Sequence, residues 1–455
     1  MAMVIKNNLS AQNSLKNLNK NSRALSKSLK KISSGRRITG AMDDSSGFVI
    51  AERMVVQLRG LEQSTRNAQN GASLLKTADG AIGSTVDILK CMKERAINAA
   101  NDSNTDEDRA IMQKEFDQYI DQIDDNALVT FNGQYLTTGT HNSQTRHMFN
   151  TLANNNLGNN SLSGTSTTPL TDWVTKSGEN LGILSSDRIT LSVTWQGTTY
   201  AGTYDVGTSS MGDIMTQWYA EMRAKGLNTG WNWHFNYDTY GLDGQWQPVV
   251  PPDGKRTDTV AAYLDASNPD AVPAGEEGLR YQLGGFTISV ADSTGNIKSN
   301  VNRFLDDYHE VIRAQNESKD NAFVFHLGTK ANQAIKIGFT DMRAYALALK
   351  GEDGTNISIC TQVSANAAIS VLDNALMKAL DEQVKIGATL ERLDHTINTL
   401  TVASENVQNA ESTIRDADMA KEMLDFTKNN VLVQASQSML AQANQNSSNV
   451  LSLLQ

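Results

Sequence analysis

Residues 372–414 read LDNALMKALDEQVKIGATLERLDHTINTLTVASENVQNAESTI, and their spacing decides the fold. Leu372, Ala379, Ile386, Leu393, Leu400, Val407 and Ile414 recur every seven residues, and Leu376, Leu390 and Ile397 fill the complementary position. A sustained seven-residue apolar repeat is the narrow seam of a coiled coil. No proline interrupts it, and after Gly387 neither Gly nor Pro occurs to the end of the chain. Proline removes a backbone donor and clashes with the preceding turn, so its absence permits a long helix. Were residues 365–455 one helix, it would extend roughly 130 Å at 1.5 Å per residue. Such a length must pair with another helix of this chain or with other copies.

The other end of the chain answers it. Leu15, Leu18, Ser22, Leu25, Leu29 and Ile32 step 3-4-3-4-3 until Ser33-Ser34-Gly35 interrupts them. A second row steps by seven through Leu61, Ala68, Leu75, Ile82, Leu89 and Ala96, with alternate alanines that let helices approach closely. After the polar break Asn101–Asn104, Thr105 reads as an N-cap, with Asp106, Glu107 and Asp108 in the first turn where the helix dipole favours anions. The apolar face of that helix is Met112, Phe116, Tyr119 and Ile123, and Phe131-Asn132-Gly133 is a turn. The last helix offers Leu432, Ala435, Met439, Ala443, Val450 and Leu454.

All six tryptophans and all six prolines lie between Pro169 and Pro273. The middle, about 142–322, is therefore chemically distinct from the arms. Asn, Gly, Ser and Thr crowd 151–168, which reads as linker. Ile189, Leu191, Val193 and Trp195 alternate, Gln196-Gly197 turns, and Tyr200–Val206 returns as a strand. Met211, Ile214, Met215, Trp218 and Met222 mark an amphipathic helix; 281–290 reads as a strand pair around Gly284-Gly285, and 301–312 as a helix. Trp231, Trp233, Phe235 and Tyr237 read as core of a small α+β domain, with a sugar- or partner-binding platform as the alternative. Phe323, Phe325 and Leu327 alternate, as do Ile335, Ile337 and Phe339, which predicts a hairpin. The fold class is thus mostly α: a long antiparallel coiled coil or bundle from both chain ends, a β-hairpin, and an inserted α+β outer domain.

The net charge of −10 is uneven. Residues 1–41 hold nine Lys and Arg and no acid. Nucleic acid or a membrane is one class of partner for such an arm. A helix that meets Glu411, Asp416, Asp418, Glu422 and Asp425 fits better, because no aromatic residue interleaves the cations. Cys91 and Cys360 are the only cysteines, too few for a disulfide framework. No stretch approaches the ~20 apolar residues of a membrane span, and the start has no apolar segment of a cleaved signal. The six histidines are scattered; His309-Glu310 opens a zinc-helix pattern, but Arg313 stands where the second ligand belongs. There is no phosphate-binding glycine loop, and Asp43-Asp44 are adjacent carboxylates that read as structural. No catalytic residue, metal ligand or cofactor site is expected.

Several motifs now stand in register. Leu29–Ile32 precede Ser33-Ser34-Gly35-Arg36-Arg37-Ile38 and Asp43-Asp44-Ser45-Ser46-Gly47. Ala403-Ser404-Glu405-Asn406 and Ile414-Arg415-Asp416-Ala417-Asp418-Met419-Ala420 precede Met439–Gln445 and the Val450–Gln455 ending. Together these resemble the bacterial flagellins over about 1–140 and 322–455. The resemblance implies a structural subunit of the helical flagellar filament, not an enzyme, without cofactors, with a hook–filament junction protein as the alternative. It implies an inner helical domain from 1–44 and 411–455, a shell from 45–141 and 323–410, and a variable surface-exposed insert, 142–322. The seam residues of assembly would be Leu15, Leu18, Leu25, Leu29, Ile32, Leu372, Ile386, Leu393, Leu400, Val407, Leu432, Met439, Val450 and Leu454. It implies an extracellular location in the flagellum, reached by type III export without a cleaved signal. The partners it implies are other copies of the chain, an export chaperone on the C-terminal segment, and filament cap and hook-junction proteins. It also implies recognition by a host Toll-like receptor through Leu89, Lys90, Cys91, Lys93, Glu94, Arg95 and, on the next helix, Glu115. Cys91 stands where the family commonly has Arg, and Arg95 where it has Leu. A thiol lacks the forked donors of Arg, and Arg in a slot shaped for Leu would bury a charge without an evident partner, so weakened recognition is expected.

Overall fold

The structure is a computed structural model that describes residues 8–145, 151–154, 169–175, 177–225, 239–240, 246–247, 260–262, 279–306 and 308–452. The helices are α1 (Leu9–Ser34), α2 (Ser45–Ala99), α3 (Asp106–Ala127), α4 (Met211–Ala224), α5 (Ser299–Leu305), α6 (Gln362–Arg415) and α7 (Met419–Ser452). The strands are β1 (Thr130–Phe131), β2 (Gln134–Tyr135), β3 (Thr151–Asn154), β4 (Arg188–Trp195), β5 (Thr198–Asp205), β6 (Thr239–Tyr240), β7 (Trp246–Gln247), β8 (Val260–Ala262), β9 (Leu283–Ala291), β10 (Tyr308–Ile312), β11 (Phe323–His326) and β12 (Ala334–Ile337). The expected fold class, mostly helical with small sheets in the middle, is what the chain forms. Two compact units arise: one from 1–70, 326–334 and 393–455, the other from 71–325 and 335–392.

In the first unit α1 and α7 run antiparallel. Gly35 ends α1 at φ 68°, the left-handed conformation that a glycine adopts without Cβ strain. The helical pattern that runs from 365 onward is divided in two by a break between Arg415 and Met419. The cause is long-range. Arg37 N donates to Arg415 O at 2.7 Å and Ala417 N to Gly35 O at 2.9 Å, so the 35–37 backbone pairs with the 415–417 backbone as a bridge and displaces the helical ladder. Asp418 then caps α7, its carboxylate accepting from Ala420 N and Lys421 N. Arg415, with its side chain 4% exposed, reaches Glu52 at 2.6 Å and Glu411 at 3.1 Å and lies over the Phe48 ring.

In the second unit the heptad rows form the helical core. Leu75, Ile82, Leu89 and Ala96 on α2 are buried, as are Leu372, Ala379 and Ile386 on α6. From α3, Phe116, Ile120 and Ile123 are buried as well. Thr105 and Asp108 complete the capping box at the start of α3. Arg109 closes the end of α2 by donating to Ala99 O at 2.8 Å and Asn101 O at 3.1 Å.

The insert is α+β. Strands β5-β4-β9 form an antiparallel sheet, and its apolar face (Ile189, Leu191, Val193, Phe286, Ile288, Val290) joins Trp173, Ile214 and Trp218 in one core. Gln196 and Gly197 both take positive φ in the two-residue β4–β5 loop, and a Cβ on Gly197 would lie 2.2 Å from Thr355 O. Residues 283–291 are one strand, not the expected pair. Gly284 and Gly285 lie within it because α6 packs there: a Cβ on Gly285 would stand 3.0 Å from Val371 N. Asn374 fastens this contact, donating to Gly284 O at 3.1 Å and accepting from Glu310 N at 3.3 Å. The helix expected over 301–312 is α5 followed by β10, since β10 is taken up by pairing with β3; β3 in turn occupies 151–154 of the expected linker. Residues 155–168 and the aromatic run Trp231, Trp233, Phe235 and Tyr237 lie outside the described residues. Strands β11 and β12 form the expected hairpin.

Candidate functional site

Two surfaces carry the residues that the sequence singles out. The first is the α1–α7 pair. The α1 residues turned toward α7 are Ala11, Ser14, Leu18, Asn21, Leu25, Ser28 and Ile32, each buried or half-buried, and on α7 they meet Glu422, Phe426, Asn429, Val433, Ser436, Leu440 and Ala443. Every second position of the α1 row is Ser or Asn. These polar groups bond across the pair: Asn21 Nδ2 donates to Ser436 Oγ at 2.9 Å, Asn429 Nδ2 to Ser28 Oγ at 3.3 Å, and Asn8 Nδ2 to Ala443 O at 3.2 Å. Lys31 pairs with Glu422 at 2.7 Å, which realises the expected meeting of the basic arm with the acidic end. Such polar seam positions fix register at the expense of stability.

At alternate positions the seam runs one residue off the row that the leucines mark. Leu18, Leu25 and Ile32 lie in it; Leu15 and Leu29 do not, and are 46% and 53% exposed. On α7, Leu432 and Met439 are likewise outside it, 40% and 63% exposed. Val450 falls in α7 and Leu454 lies outside the described residues. On α6, Leu372, Ile386, Leu393 and Leu400 are buried and Val407 is half-buried. Ser14, Asn21, Ser28, Asn429 and Ser436 carry no hydrophobic period, so the apolar pattern does not mark them; the 3-4 spacing of small and amide residues is the signal that does.

The second surface is the outer face of α2 near its end. Leu89 is fully buried and serves the core. Lys90 pairs with Asp87 at 3.0 Å and Lys93 with Asp373 at 2.5 Å, while Cys91 and Glu94 are exposed. Arg95 is exposed as well. Its side chain is 45% exposed, and its guanidinium meets Glu115 Oε1 at 3.1 Å. Tyr119 Oη donates to the same carboxylate oxygen at 2.8 Å, and this bond to an anion raises the Tyr119 hydroxyl pKa. Glu115 raises that of Arg95 by charge and then by hydrogen bond.

The match to known proteins runs along the whole chain. Residues 5–142 match the bacterial flagellin N-terminal helical region and residues 369–454 the bacterial flagellin C-terminal helical region. A flagellin of Clostridium tyrobutyricum is 32% identical over 454 residues, 97% of this chain and 99% of its own. The chain belongs to the flagellin family. A flagellin of Bacillus subtilis (strain 168) is 27% identical across 99% of this chain and 100% of its own length. Polar flagellin A of Vibrio parahaemolyticus is 26% identical across the full length of both. The solved flagellar junction protein FlgL of Legionella pneumophila, at 14% identity and a TM-score of 0.30, covers 82% of this chain. Membership of the flagellin family makes the chain a structural protein of the bacterial flagellar filament, not an enzyme. No described helix is long and apolar enough to cross a membrane.

Proposed function

We propose that this chain self-assembles, outside the cell and after export without a cleaved signal, into the helical filament that drives swimming. The supporting observation is the α1–α7 pair, whose seam is thin and polar while Leu15, Leu29, Leu432 and Met439 remain uncovered. A buried leucine contributes about 1.5–3 kcal/mol only when a partner covers it. Identical copies meeting through heterologous, non-closing contacts supply that cover and generate an open helix. In this reading 1–44 and 411–455 are the inner domain, 45–141 and 323–410 the shell, and 142–322 the outward insert. An export chaperone holds the C-terminal segment before assembly, and cap and hook-junction proteins bound the filament. Electron microscopy of the purified chain added to filament seeds is the test. Long filaments are expected, and Leu15→Asp with Leu29→Asp abolishes them while shell helicity persists. Failure of the parent chain to elongate seeds would instead favour a junction protein.

The shell helices also form a ligand surface for the flagellin-sensing Toll-like receptor, and this chain is a weak ligand. Cys91 offers no forked cation, and Arg95 already occupies Glu115, so a receptor cation must displace it. In a receptor reporter assay on the monomer, Cys91→Arg with Arg95→Leu is expected to raise potency about tenfold, the equivalent of ~1.4 kcal/mol. Unchanged potency sinks this part of the reading.

A further inference from the structure

α1 carries more than its partner uses. Its seam row holds Leu18, Leu25 and Ile32; one position on from Ser14 and Ser28, Leu15 and Leu29 extend the apolar arc beside the seam, 46% and 53% exposed. Opposite that arc, Lys16, Lys20, Arg23, Lys27 and Lys30 are spaced 4-3-4-3. That places five cations on one stripe about 21 Å long. All five are exposed, and among the described residues only Lys27 of the five is ion-paired, to Asp43 at 3.0 Å. There is no acid on the helix itself. An apolar arc opposed by a purely cationic face is the pattern of a helix that lies in the headgroup layer of an anionic bilayer. The hold of α7 on the arc is weak: four of the seven α1 seam residues are Ala, Ser or Asn, and even Leu18, Leu25 and Ile32 are only half-buried.

We propose that in the unassembled chain α1 exchanges α7 for the surface of an anionic lipid membrane. The leucine arc then enters the interface and the lysine stripe gathers headgroup charge. The occupant is lipid and not nucleic acid, because phosphate backbones reward the cations alone and leave Leu15 and Leu29 in water. Pairing with α7 and with further copies competes for the same arc, so assembly releases the membrane.

The test is flotation of the full-length monomer with phosphatidylcholine vesicles, with and without about one quarter phosphatidylglycerol. Binding is expected to the anionic vesicles alone, and to fade as salt rises to about 0.5 M, where the Debye length is only a few Å. Lys16→Gln, Lys20→Gln, Arg23→Gln and Lys30→Gln each lower partitioning about fivefold. Leu15→Gln with Leu29→Gln, which keeps every charge and alters only exposed side chains, abolishes it. Equal flotation with neutral vesicles overturns the proposal, as does no flotation at all. So does binding that ignores the leucine pair and passes equally to duplex DNA, since that is polyanion adhesion.

Discussion

Arg415 ends α6 with its side chain 4% exposed, so its charge is tolerable only because carboxylates surround it. Glu411 is 17% exposed and has little access to water; Glu52, at 48%, rehydrates readily. Arg415→Met is therefore expected to cost about 3 kcal/mol, the low end for breaking a buried ion pair, read from urea unfolding followed by circular dichroism. Arg415→Lys is expected to recover less than half of this, because one ammonium cannot span both carboxylates and stack on Phe48. Asp43 belongs to the same region. The Thr39 hydroxyl first, then Lys27 and the Thr39 amide, hold its carboxyl well below the usual carboxylate range. A carboxylate whose folded pKa is depressed contributes stability that is present above its unfolded pKa and lost as pH falls below it. Asp43→Asn should thus lose stability at pH 7 yet show a smaller further loss between about pH 4 and pH 2 than the parent chain. Equal acid sensitivity in urea midpoints at both pH values contradicts this. The adjacent Asp44 does separate work by accepting from Gly47 N at 3.0 Å at the start of α2, which fits the structural reading of the pair.

At the scale of elements, two glycines in long helices have no internal reason. A Cβ on Gly80 in α2 or Gly387 in α6 meets nothing within 4 Å, whereas one on Gly285 in β9 meets the α6 backbone. Gly80→Ala and Gly387→Ala are each expected to stabilise the depolymerised monomer by about 1 kcal/mol, the helix-propensity difference. Gly285→Ala is expected to destabilise it by about 1–3 kcal/mol through overpacking. Thermal melts of the three variants check both signs. Helices that build their own core were plain in the sequence: Leu75, Ile82 and Leu89 mark the buried face of α2, and Thr105 marks the start of α3. Elements decided by distant contacts were not. The break after Arg415 has no Gly or Pro to announce it, because the backbone of residues 35–37 causes it. At alternate positions the α1 seam lies one residue before the marked row, because Leu15 and Leu29 mark surface that α7 leaves open, while Ser14, Asn21 and Ser28 meet α7.

At the scale of the molecule, the same offset separates what the chain folds for itself from what it leaves for others. The second unit holds buried aromatic and branched residues from α2, α3, α6 and the insert. Among the described residues of α1 and α7, by contrast, only Ser28 and Ala443 are buried. Two helices joined by so little apolar area do not outweigh the ordering of their backbones, about 1–2 kcal/mol per residue, and isolated helices are marginal in water. Backbone amides of 9–34 and 419–452 are therefore expected to exchange within seconds in the dilute monomer, while those of 75–96 and 372–390 resist for hours. In assembled filaments the terminal amides are expected to become as slow as the others, because in the proposed assembly neighbouring copies cover Leu15, Leu29, Leu432 and Met439. Hydrogen exchange read by mass spectrometry on monomer and filament measures all four segments at once. Strong protection of the terminal segments in the monomer would show that the α1–α7 pair is stable unaided, and the exposed leucine rows would then need another explanation than assembly-coupled folding.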